Sequence, residues 1–485
     1  MRPRVHRTDV YDYGLLHLLL LPVALFILCF QSSRLIYAVS CQGQKNASLE
    51  LHYLQVADRM RDEGLSNEKA YAMLAKLIAH APNRLAGSEG ATAAVEFASR
   101  EIENMGFTTW LEPVTVQHWV RSRKEDASLI LPDLTEERSL SVSALGWSVG
   151  TPEQGLTAPV VEIRSFAELH QPGIHVGGKI VFFNIAMERA QLDIFRSYAE
   201  WVSFRVEGAS KAAQGGAVAV IIRSGTLRID EFPHTGMVAY DPNVPKIPAV
   251  AIATQDADYL SSILRVKPDA RCRLKLGCQE LAPLASVNVI GQITGSKRPD
   301  EIIILGAHLD SWDLGEGAHD DGAGCVQAVE ALRLIRALGL HPKRTIRAVL
   351  YMNEEFGATG GRDYAVSERR RREKHIAAIE SDGGGAMPLS LGVAGHPEVL
   401  KKLQSWNYLF ESLGMKGVEP GEGGSDISPL SAQGTVIMSL ISEAHRYFDF
   451  HHSARDILAN VHPRELELGA IALALAAVII SEEGI

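Results

Sequence analysis

From residue 286 to the C-terminus, short apolar runs alternate with stretches of helical periodicity, which confines the chain to an α/β fold around a mostly parallel mixed sheet with helices on both faces. Residues 302–305 read as a strand. Residues 323–338 read as a helix, with Val326, Val329, Leu332 and Ile335 on one stripe and Gly339 as its stop. Further strands are expected at 345–352, 376–379 and 435–441. Each runs into polar residues of the kind that hold metals: LGAHLDSWDLGEGAHDDGAG over 305–324, Asn353-Glu354-Glu355, Glu380-Ser381-Asp382, and Glu443 with the loop of His451 and His452. Open α/β sheets place their sites at the carboxyl ends of strands, so the coincidence points to one site.

Upstream, residues 51–106 read as helical and 107–120 as a strand. Between 123 and 284 the character changes to short β-rich runs at 179–183, 217–222 and 250–253, with one helix at 198–213. This reads as a domain inserted between two parts of another, 41–122 and 285–485. The last segment, 465–480, is apolar but too short to span a bilayer, and is expected to be a buried or interface helix.

A formal charge of −10 leaves no basic excess to neutralise phosphates, so nucleic acid is excluded as a partner. The basic cluster Arg369 to Arg372 is flanked by Glu368 and Glu373 and reads as a solvated helix face. Arg2, Arg4 and Arg7, an apolar run over 15–30 and the end Ala38-Val39-Ser40 have the form of a signal peptide over 1–40, with an uncleaved anchor as the alternative. After cleavage no stable membrane insertion is expected. Asn46-Ala47-Ser48 is a glycosylation sequon, placing Asn46 as an acceptor. Cys272 and Cys278 are spaced to close a small loop in an oxidising compartment, and Cys325 reads as a buried thiol.

Divalent metals of borderline softness take imidazole nitrogens and carboxylate oxygens, and a carboxylate can bridge two of them. The candidate ligands are His308, Asp320, Glu355, Asp382 and His452. Asp310, two residues past His308, is placed to hold the other ring nitrogen. Neighbouring side chains at a strand end diverge, so Glu355 is read as a ligand and Glu354 as the base facing water. By the same argument His319 and His451 are read as non-ligands. Ser425 and Asp426, in the glycine-rich loop 421–424, are candidates for contacting substrate. Taken singly, each residue is more often an ordinary buried or solvated group; their order along successive strand ends reverses the odds.

The motifs AHLDSWDLGEGAHDDGAG, NEEFGATG, ESDGG, GEGGSDISPL and YFDFHHSARD resemble those of the di-zinc exopeptidases, a family that includes bacterial leucyl aminopeptidases and glutamate carboxypeptidases. The resemblance extends from Asn83-Arg84-Leu85-Ala86-Gly87-Ser88 to the final helix. It implies two zinc ions, one on His308 and Asp382, the other on Glu355 and His452, with Asp320 bridging and Glu354 as general base for a metal-bridging hydroxide. It also implies that 123–284 is similar to a protease-associated domain, and that the protein is a secreted or lysosomal homodimer acting on unblocked dipeptides or short peptides. One departure is Ile457, where relatives carry threonine in His-Ser-x-x-Asp-Thr. The alternatives are a catalytically silent binding or receptor-like protein on the same fold, and cyclisation of N-terminal glutamine with one zinc.

Overall fold

The computed structural model describes residues 49–131 and 137–485. The signal segment and Asn46 lie outside the described residues. The chain divides into two units between Ala57 and Asp58. Of the first, residues 49–57 are described, and they are helical. The second carries two eight-stranded sheets.

The first sheet runs, in spatial order, Thr108–Val120, Gln279–Ile293, Arg344–Tyr351, Arg298–His308, Lys374–Glu380, Val436–Ser442, Pro388–Val393 and Gly417–Pro420. The strands from Arg344–Tyr351 to Val436–Ser442 are mutually parallel, and antiparallel strands flank them. Ile302, Ile303, Ile304 and Leu305 are all buried, as expected of a strand covered on both faces. Ile302, Ile304, Val349 and Ala378 share one face with Tyr364, Ile427 and Leu430. Alternate residues point to the opposite face, against which Ala323–Ala337 and Pro463–Glu483 pack. The final helix is buried from Leu466 to Ser481, which suits its apolar character on every side. Among the described residues, no helix is long and apolar enough to cross a membrane. Gly339, at φ 67°, follows the Ala323–Ala337 helix in the left-handed conformation that ends helices.

The second sheet is built from residues 126–275. Its order is Arg138–Ser139, Asp126–Ile130, Arg271–Lys275, Leu156–Ile163, Ile180–Phe183, Ala219–Arg223, Ala249–Ile252 and Val142–Ala144. The helix Ile194–Gln214, capped by the Asp193 carboxylate on the Arg196 amide, packs on it. Gln279 and Leu284 pair with Val120 and Val116, so this stretch belongs to the first sheet. Cys272 and Cys278 are separate buried thiols and do not close the loop their spacing allowed. Burial pushes them up to about 12 and about 11, away from the thiolate form.

In the basic cluster Arg369 and Arg372 are exposed, as expected of a solvated face, but Arg370 departs from it. Residues Glu368–Arg372 form a short 3-10 helix that carries Arg370 inward, where its guanidinium lies 3.6 Å from the Tyr364 ring centroid and pairs with Glu112 and Glu373. Arg347 donates to both Glu373 oxygens at 2.8 and 2.9 Å. Burial alone would raise the Glu373 carboxyl, but the bonds and charge of Arg347, then of Arg370, hold it at about 2. The depressed carboxyl contributes stability that is fully present above its ordinary value of 4.5 and is lost as pH falls towards 2. Glu373→Gln is expected to lower unfolding free energy by roughly 2–4 kcal/mol at neutral pH. Urea unfolding should also show the wild-type advantage shrinking below about pH 4; a constant difference down to pH 2 would contradict the assignment.

Candidate metal centre

His308 ends the strand Arg298–His308, and Asp320 sits in the turn Ala318–Gly322 that opens the next helix. Glu354 and Glu355 follow the strand Arg344–Tyr351, Asp382 follows Lys374–Glu380, and His452 lies beyond Val436–Ser442. Because these strands run parallel and side by side, their carboxyl-end loops meet at one edge of the sheet. Gly324 permits the closest approach: a Cβ there would overlap the Ser381 carbonyl and the Asp321 carboxylate.

Asp320 joins the two histidines. Its Oδ1 is 3.1 Å from His308 Nε2, and its Oδ2 is 3.2 Å from His452 Nε2. His308 Nε2 lies 3.4 Å from Asp382 Oδ1, and His452 Nε2 lies 3.2 Å from Glu355 Oε2. Two groups of imidazole and carboxylate donors therefore share one carboxylate. In the first, one donor atom each from His308, Asp320 and Asp382 lies within 4.8 Å of the others. Around the second, Asp320, His451 and His452 satisfy the same spacing, so the structure also brings in His451. Its ring stacks on His452 with centroids 3.5 Å apart. Glu355 Oε1 is buried without a partner. That orphaned oxygen and the nitrogen–oxygen donor set fit divalent cations of borderline softness.

The charges agree with this. Burial, then repulsion from Asp320, pushes Glu355 up to about 8. Burial likewise raises Asp382 to about 6, against the opposing pull of His308. At Asp320 burial works upward too, but the bonds to His308 and His452 reverse it and hold the carboxyl well below its ordinary range. Burial would lower His452, yet Glu355 and Asp320 raise it to about 9. Such crowding of buried negative charge calls for a cation.

The supporting residues differ from expectation in one respect. His308 Nδ1 is held by the main-chain oxygen of Asp310 at 3.0 Å, while the Asp310 carboxylate stands 3.8 Å from that nitrogen. The carboxylate instead accepts the amides of Asn353 at 2.7 Å, Glu354 at 3.1 Å and Glu355 at 3.3 Å, because the turn aims it at the next strand end. Three further residues were not singled out from the sequence as supports. Asp321 accepts the His308 and Gly324 amides, and Asp456 accepts those of His319 and Asp320. Arg84, fully buried, donates to the carbonyls of Leu309, Glu316 and Gly317 at 2.8 Å each. Asp321 and Asp456 stood inside the motifs already quoted; nothing in their spacing distinguished them from ligands. Cys325 is buried and donates to the His308 carbonyl.

A cavity of about 310 Å³ opens onto the centre. Glu354, half-buried, lines it with His308, Asp320, Glu355, Asp382 and His452. The second-sheet region supplies Phe195, Tyr198, Arg205 and Met237 to its wall, and Tyr447, Phe448 and His451 complete it. Ser425 and Asp426 are not brought to this cavity. Ser425 is exposed, and Asp426 is fully buried with both carboxylate oxygens unpartnered. The glycine loop serves a different contact: a Cβ on Gly424 would overlap the Glu380 carboxyl.

The model of peptidase family M28 matches residues 288–477. Carboxypeptidase Q of Xenopus laevis is 35% identical over 434 residues, covering 89% of this chain and 90% of the relative. Carboxypeptidase Q of Homo sapiens is 33% identical over 420 residues, covering 86% of each. Among solved structures, a peptidase M28 precursor from Shewanella amazonensis superposes with a TM-score of 0.84 at 35% identity, covering 89% of this chain and 97% of that one. A zinc aminopeptidase from Bacillus subtilis shares the fold at a TM-score of 0.61 and 20% identity, covering 85% and 94%. Relatives this similar across most of both chains settle the family: the chain belongs to peptidase family M28, with the carboxypeptidase Q proteins among its relatives.

Proposed function

We propose that this metallo-exopeptidase hydrolyses unblocked dipeptides or short peptides, with two zinc ions held by His308 and Asp382 on one side, Glu355 and His452 on the other, and Asp320 between them. The observation that carries the reading is the placement of the two Asp320 oxygens, each within 3.2 Å of a different histidine, in the cavity that Glu354 also lines. Zinc bound there supplies Lewis acidity, polarising a carbonyl and acidifying water near neutral pH. Glu354 takes the proton of the attacking water and returns it to the leaving amine. Asp310 supports it by fixing the backbone of residues 353–355.

The cavity's volume, about 310 Å³, suits a ligand of dipeptide size. Arg205 is buried, lines the cavity and has an unpartnered Nε. It is the group we assign to a free substrate carboxylate. The aromatic side chains of Phe195, Tyr198, Tyr447 and Phe448 give the cavity an apolar surface for a side chain. We assign the second-sheet region, residues 123–278, to a protease-associated-like domain inserted into a peptidase domain that resumes at Gln279, where the chain rejoins the first sheet. The resemblance to the carboxypeptidase Q proteins supports a secreted or lysosomal homodimer.

In Glu354→Gln, metal analysis is expected to return two zinc ions per chain while kcat on dipeptides falls about 10²–10⁴-fold; near-normal turnover would remove Glu354 from the role of base. Asp320→Ala should bind neither zinc tightly, and full occupancy in that variant would refute the bridge. Arg205→Met is expected to raise KM about 10–100-fold for a dipeptide with a free carboxylate. The same variant should leave KM nearly unchanged for the corresponding dipeptide amide. Equal effects on the two substrates would exclude carboxylate recognition.

A further inference from the structure

The loop carrying His452 is gripped from the second sheet. Between the strands Ala219–Arg223 and Ala249–Ile252, the chain passes beside it. His234 Nδ1 lies 2.7 Å from the His451 carbonyl oxygen, and the Thr235 amide donates to the His452 carbonyl at 2.9 Å. A carbonyl oxygen only accepts, so the His234 proton sits on Nδ1. His234 Nε2 is then a lone pair, buried and without a partner. The His234 amide donates to Ser224 Oγ at 2.9 Å, and that hydroxyl donates to the Ile252 carbonyl at 2.7 Å, which ties the contact to a strand of the second sheet. Tyr447 and Phe448, at the start of the same loop, are buried in the core of that sheet.

What is gripped is an uncommon backbone. His452 has φ 58°, a left-handed conformation that a residue with a Cβ keeps only where its neighbours over-determine it. The ring is constrained from the same side. His452 Nδ1 lies 3.4 Å from the Thr235 carbonyl and 3.3 Å from Arg205 Nη1. With Nε2 committed to a cation, Nδ1 must carry the ring proton. A guanidinium only donates, so Arg205 offers that proton no acceptor and the Thr235 carbonyl is the one that serves. His308 has separate supports, the Asp310 main chain and the Asp321 carboxylate, neither of them in the second sheet.

We infer that His234 is a positioning residue for the metal centre: through the His451 carbonyl, together with Thr235, it fixes His452, so that the second sheet sets the affinity of the His452–Glu355 half alone. The inference rests on the reading of His452 as a ligand. It is tested with full-length protein stripped of metal and titrated with Co²⁺ in the presence of a competing chelator. In His234→Leu, one cobalt equivalent should weaken about 10–100-fold and lose its wild-type visible spectrum, while the other keeps its affinity. His234→Asn places an amide nitrogen where Nδ1 stands and should restore the lost affinity and spectrum. Unchanged equivalents in His234→Leu, weakening of both together, or no recovery in His234→Asn would overturn the inference. If His234→Leu does not fold, His234→Gln, whose amide falls on the Nε2 side of the ring, replaces it with the same expectation. The parallel variant His452→Ala identifies the affected equivalent. If it retains both, the ligand reading itself fails, and the inference with it.

Discussion

Everything in the candidate metal centre is referred to the Asp320 carboxylate. Its oxygens face His308 and His452, which stand on elements separated by more than a hundred residues of chain. A carboxylate spans only about 2.2 Å between its oxygens by ordinary covalent geometry, so the two histidines can meet it only if two strand ends and one turn are fixed together. The structure accomplishes this with main-chain contacts. Asp321 holds the amides of His308 and Gly324, Asp456 those of His319 and Asp320, and Arg84 pins the carbonyls of the preceding loop. These supports are themselves ionisable and buried: burial raises the Asp321 carboxyl well above its ordinary range and Asp456 to about 7, against the pull of the two amides each accepts.

The two sheets divide the labour unequally. The first places His308, Asp320, Glu354, Glu355 and Asp382 on parallel strand ends and their loops, a geometry that follows from the topology alone. The second contributes no carboxylate to the proposed centre. It supplies Arg205, Tyr198 and Phe195 from one helix, and the His234–Thr235 segment against the His452 loop. The parallel strands give the site its framework, and the second sheet gives it a wall.

Much of the framework was legible in the sequence because it rests on local signals. The run 302–305, the helix stripe ending at Gly339 and the polar residues after each apolar run are read within a few residues of one another. The short strand Pro388–Val393 and the edge strand Gly417–Pro420 beside it escaped notice, since Pro and Gly weaken their pattern. The site separates along the same line. Its candidate ligands could be picked out by residue type and position. What each neighbour holds could not: Asp310 turns its main chain to His308 and its carboxylate to residues 353–355, a choice made by backbone direction. Nor could the fate of Arg370, which charge pattern places in water and Glu112 draws inside. Contacts such as His234 to His451 join residues 217 apart and leave no period to detect.

Part of the cavity wall lies on a different piece of chain from the candidate ligands, and this bears on how such a protein can change. Phe195, Tyr198 and Met237 touch neither Asp320 nor Glu354 by any hydrogen bond or ion pair among the described residues. Substitutions there can reshape the space offered to a side chain without removing a hydrogen bond to Asp320 or Glu354, and those at Phe195 or Tyr198 also reach the His452 loop through Phe448. New preferences can therefore arise by drift at the wall positions, so long as the His234–Thr235 contacts to the His452 loop are kept.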